Sequence, residues 1–157
     1  MTSNTSAPKD GPELLDERPV GGILVHPFAL LTAGIGAGLV YLVASHEFTR
    51  TNARNVLNWH LSVLALTAIA VLTFTLGADE LTIGSRVVDW SLLGPPLDTI
   101  VAIVGTLLLL LTGCVWSLTW VFTLIATVKA ILGDPWNYPF AREFVNRASR
   151  TSREETV

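Results

Sequence analysis

Three long apolar blocks, near residues 19–44, 52–76 and 99–129, constrain this chain more than any other feature of its sequence. A helix rises ~1.5 Å per residue, so roughly 20 apolar residues are needed to cross ~30 Å of hydrocarbon. Half of the residues are hydrophobic and only 15% are charged, too little charge to cover a soluble domain of this length. The expected fold is therefore all-α: an integral membrane bundle of three transmembrane helices, about 19–44, 52–76 and 98–131. They form one membrane domain, 19–145, between polar tails at 1–18 and 146–157.

Local signals set the expected ends. Asp16 and Glu17 precede Pro19, and both acids and proline favour the first turn of a helix. Pro27 interrupts the first block; a kink there is expected in preference to a start at Pro27. Thr49, Thr51 and Asn52 can cap the second helix, and Gly77 ends it. Pro95 and Pro96 close the loop at 78–98, whose middle, 87–93 with Trp90, can lie flat at a membrane interface. The third block would span ~46 Å as one helix, so it is expected to tilt or protrude; halves divided near Thr112 and Gly113 would be too short to cross. The first 18 residues carry four acids against Lys9 and Arg18, unlike a secretory signal. They are expected to be disordered and uncleaved.

Orientation follows from lysine and arginine near the span ends. Arg50 and Arg54 flank the second helix, and Lys129, Arg142, Arg147, Arg150 and Arg153 follow or end the third. The 78–98 loop has Arg86 against Asp79, Glu80, Asp89 and Asp98. Residues 46–55 and the C-terminus are thus expected in the cytoplasm and 78–98 outside. A single first span would put the N-terminus outside, in a multi-pass protein of the cell membrane.

Few residues suggest chemistry. Cys114 lies inside an apolar run, which rules out a disulfide framework and reads as packing. Gly34 and Gly38 form a G-x-x-x-G pair expected at a helix–helix contact. His26 and His60 are intramembrane or interfacial polar residues, expected far apart if the first two helices pack antiparallel. Trp116 and Trp120, one turn apart, need acceptors for their N–H groups and read as packing or as a lipid, quinone or pigment slot. With no nucleophile–base pair or metal spacing, neither an enzyme nor a cofactor is expected, and no basic run suggests nucleic acid.

Two segments carry a resemblance. Phe48-Thr-Arg-Thr-Asn-Ala-Arg-Asn-Val-Leu-Asn-Trp-His60 resembles "F-V-R-E-H-A-R-E-A-L-N-F-Q", and Gly133-Asp-Pro-Trp-Asn-Tyr-Pro-Phe-Ala-Arg142 resembles "G-E-Y-Y-R-Y-P-F-T-I-R". Both patterns belong to the domain-of-unknown-function 4870 group of small membrane proteins, related to the twenty-kilodalton Tic subunit of chloroplast import. His26 resembles that group's early histidine. Asn52, Asn55, His60 and Pro135 depart from the pattern. The resemblance implies a helical membrane protein sharing ancestry with a protein-import component.

The expected function is a non-enzymatic scaffold, assembly or protein-translocation subunit, with membrane lipid and other membrane proteins or its own copies as partners. Its docking edge is expected at Arg54, Asn58, Trp136, Tyr138, Pro139 and Arg142. Arg54 and Asn58 lie one helical turn apart and are expected to bond carbonyls of the proline turn. The alternative is a small transporter with a pore between protomers, lined by Thr67, Thr73, Thr75, Thr106 and Thr112.

Overall fold

The computed structural model describes residues 19–145. Four helices and one β-hairpin make up this stretch: α1 (Val20–Leu31), α2 (Ile35–Val43), α3 (Glu47–Leu76), β1 (Glu80–Ile83), β2 (Arg86–Asp89) and α4 (Leu97–Ile131). The two tails expected at 1–18 and 146–157 lie outside the described residues. Among the described residues, two helices, α3 and α4, are long and apolar enough to cross a membrane, where three were expected. Only 22% and 11% of their most apolar windows are buried, whereas a core helix of a soluble protein would be mostly covered.

The first apolar block is not one helix kinked at proline. α1 continues through Pro27 and ends at Thr32. Ala33 and Gly34 then take left-handed conformations, φ 50° and 91°, which end the helical ladder. Thr32 serves both sides of the break: its hydroxyl donates to the Phe28 carbonyl at 2.7 Å and accepts the Gly36 N–H at 2.9 Å.

The chain divides into two units. The described part of the first comprises 19–58 and 122–145. Here α1 runs in the same direction as α3: Gly21 and Gly22 lie against Thr49 and Phe48, and His26 reaches Asn52. α2 runs back the other way, with Gly38 near Leu57 and the Tyr41 ring under the Arg50 guanidinium at 5.1 Å. α3 starts five residues earlier than expected, because His46 rather than a later threonine or asparagine caps it. The His46 carbonyl accepts from the Arg50 N–H, and its ring Nδ1 accepts from the Phe48 N–H. Thr49 and Asn52 are buried inside the helix.

The second unit, 59–121, holds the rest of α3, the hairpin and most of α4. The two helices run antiparallel at close range: a Cβ on Gly77 would strike the Ala102 backbone, and one on Gly105 would strike the Phe74 backbone. Indole N–H groups tie the same pair, Trp59 to Thr119 at 3.1 Å and Trp116 to Thr67 at 3.3 Å. Trp59 is buried here, whereas Trp120 is exposed. The 78–98 loop forms an antiparallel hairpin, with Ile83 opposite Arg86 and Gly84 at φ 65° in the turn. The interfacial segment expected at 87–93 is therefore partly strand.

Candidate functional site

A polar network is buried in the first unit, where α1, the start of α3 and the segment after α4 meet. Asn52 is its hub. Asn52 Nδ2 donates to the Phe48 carbonyl at 3.0 Å, leaving Oδ1 to face His26 Nε2 at 3.0 Å. His26 therefore donates from Nε2, and its Nδ1 accepts from the Tyr138 hydroxyl at 3.0 Å. Both His26 and Asn52 are fully buried, so each polar atom needs such a partner. Burial pushes the Tyr138 hydroxyl above its ordinary range, partly opposed by a bond from the Thr123 side chain.

The segment after α4 is fastened to α3 by two more asparagines. Asn55 Nδ2 donates to the Trp136 carbonyl at 3.1 Å, and Asn58 Oδ1 accepts the Val145 N–H at 3.1 Å. Trp136, Tyr138 and Phe122 stack by edges and tilted faces, with Trp136 and Tyr138 centroids 4.9 Å apart. Gly133, at φ 84°, releases the chain from α4, and Lys129 pairs with Asp134 at 2.9 Å on the surface. A cleft of about 200 Å³ opens beside this segment, lined by Arg54, Asn55, Asn58, Asn137, Tyr138, Ala141 and Glu143.

One residue on the rim stands out. Pro139 and Phe140 form the centre of a turn in which the Ala141 N–H bonds the Tyr138 carbonyl. A turn with proline first and positive φ second normally takes glycine or asparagine second. Here Phe140 holds φ 65° with its ring 94% exposed.

The structure thus brings Arg54, Asn58 and Tyr138 to one cleft, with Trp136 and Pro139 in the segment that borders it. Asn58 accepts from the Val145 backbone, and Asn55 donates to the Trp136 carbonyl. His26 belongs to this network rather than to a distant helix end, and His60 is buried within the protein. Gly34 is the buried, left-handed residue before α2, and a Cβ on Gly38 would sit in ordinary contact with Leu57 at 3.9 Å. Asn52, Asn55, Thr123 and Phe140 were missed. Tyr-Pro-Phe, a proline turn without glycine or asparagine in its second place, was the signal available for Phe140. The hydroxyls of Thr67, Thr73, Thr106 and Thr112 bond carbonyls four residues back in their own helices.

A family model, MamF_MmsF, described as the magnetosome magnetite crystal formation protein family, matches residues 17–145. No curated protein and no solved structure matches. This match overturns the resemblance to the domain-of-unknown-function 4870 group and to the Tic subunit. The translocation role that rested on that resemblance goes with it.

Proposed function

The chain belongs to the magnetosome magnetite crystal formation family, and from that premise we propose that it is a membrane-embedded, non-enzymatic assembly subunit of the compartment where magnetite grows. The bound segment after α4 serves as its docking edge for other proteins of that compartment. The observation that carries this reading is Phe140, exposed on a strained turn beside a polar cleft. A phenylalanine in left-handed geometry costs about 1–3 kcal/mol, and such strain clusters at functional positions. Exposed aromatic rings next to satisfied polar groups are also the usual anchors of protein interfaces.

Membrane placement is supported by the outward faces of α3 and α4, which are apolar and uncovered. Arg50, Arg54 and Arg142 favour the cytoplasm for the end that carries the docking edge.

The test is complementation of a deletion strain, with magnetite crystal dimensions measured by electron microscopy. Wild type should restore crystal size, whereas Phe140→Gly should reach the membrane in equal amount yet leave crystals small. Full restoration of crystal size by Phe140→Gly would remove the basis for the docking edge.

A further inference from the structure

We infer that α1 and α2 form a re-entrant hairpin that inserts into only one leaflet, the one on the Arg50–Arg54 side, and binds its acyl chains. This rests on the reading of α3 and α4 as membrane-crossing, not on the docking edge.

Length comes first. α1 has 12 residues and α2 has 9, so they span ~18 Å and ~14 Å, about half of a ~30 Å hydrocarbon core each. Direction comes second. α1 descends beside α3 from Thr49 to Asn52, and α2 returns from the level of Leu57 to that of Arg50. Both ends of the hairpin therefore lie near the start of α3, and the break at Thr32–Gly34 is its deepest point.

The surface identifies the occupant. Leu24, Phe28 and Leu31 on α1, then Ile35, Leu39 and Leu42 on α2, form exposed stripes at helical spacing. The inward faces carry Gly22, Val25, His26 and Ala29 on α1 and Gly36 and Ala37 on α2, small residues apart from Val25 and the hydrogen-bonded His26. The residues flanking the break are open, Leu31 at 82% and Ile35 at 71%, and so is the far end of α2, with Leu42 at 78% and Val43 at 80%. Non-helical backbone survives in hydrocarbon only where its polar groups are satisfied. Four N–H groups of the break find partners within it: Thr32 N–H bonds the Phe28 carbonyl, Gly34 N–H the Ala29 carbonyl, Ile35 N–H the Thr32 carbonyl, and Gly36 N–H the Thr32 hydroxyl. A protein partner would not require this self-sufficiency; lipid does.

Two helices, each ~10 Å across, then occupy area in one leaflet alone. Such a wedge favours membranes that are convex on the arginine side.

The test uses the full chain with Cys114→Ala, reconstituted into phosphatidylcholine–phosphatidylglycerol vesicles. Single cysteines at Val20, Leu31, Ile35 and Ser45 carry an environment-sensitive fluorophore. Impermeant quencher should reach Val20 and Ser45 from the same face. Leu31 and Ile35 should be quenched most by lipids brominated near the chain ends. Val20 and Ser45 reached from opposite faces would mean a single crossing and overturn the hairpin; a water-quenched tip would do the same. For protein oriented with the arginine side outward, several-fold enrichment on small over large vesicles is expected. Leu31→Asn with Ile35→Asn should abolish that enrichment while α3 and α4 still cross, read as protection of a cysteine at Ser85 from outside reagent. Equal partitioning of the parent protein would overturn the wedge. None of these readings involves magnetite or partners, so failure here leaves the docking edge standing, and the reverse.

Discussion

His26 places each ring nitrogen against a group of opposite need, which selects one neutral tautomer. Asn52 Oδ1 can only accept, and the Tyr138 hydroxyl donates to the other nitrogen while its oxygen accepts from the Thr123 side chain. Removing one member strands the others in a buried setting. Tyr138→Phe should lower stability by about 1–3 kcal/mol, read from thermal unfolding in detergent. The raised Tyr138 pKa adds a pH signature. A group whose folded pKa exceeds its unfolded value of 10.0 stabilises fully below that pH and loses the contribution as pH rises above it. The unfolding midpoint should therefore fall more steeply above about pH 10 in wild type than in Tyr138→Phe. Phe140 behaves differently because its strain is local: Phe140→Gly should keep or slightly raise the midpoint, which separates a docking role from a structural one.

Glycine does three distinct jobs in these elements, and the sequence alone does not sort them. Gly34 is needed for its left-handed backbone, so Gly34→Ala should cost about 1–2 kcal/mol. Gly77 and Gly105 are needed for the close approach of α3 and α4; leucine at either should force the backbones apart and lower the unfolding midpoint sharply. Gly38→Ala should be nearly silent, since its Cβ meets only Leu57 at van der Waals distance. Periodic small residues announce that helices can pack but not which glycine touches which backbone. Much of α3 and α4 was legible because uninterrupted apolar length, Gly77, Asp98 and Gly133 all mark their ends. The division of the first block was not, because it turns on Ala33, a residue type that seldom adopts positive φ. The hairpin at 80–89 was legible and overlooked: Gly84-Ser85 between Thr82-Ile83 and Arg86-Val87-Val88 is a two-residue turn signal.

At the scale of the whole molecule, sequence and structure bear on different things. Helical spacing and a proline turn were enough to bring Arg54, Asn58 and Tyr138 into one neighbourhood. The expected antiparallel course of a single first span hid His26 from it, because α1 follows the direction of α3. That course also alters the sidedness derived from the arginines: with a re-entrant first block, residue 20 lies on the same face as residues 46–55. The central claim, however, is that the edge after α4 meets protein. The most direct measurement is site-specific photocross-linking from a benzophenone side chain placed at Phe140 in isolated magnetosome membranes, with Leu24 as a second position. The account expects defined protein adducts from position 140, identified as magnetosome proteins by mass spectrometry, and lipid adducts from position 24. Lipid adducts alone from position 140 would contradict it, making Phe140 a membrane anchor rather than a docking residue.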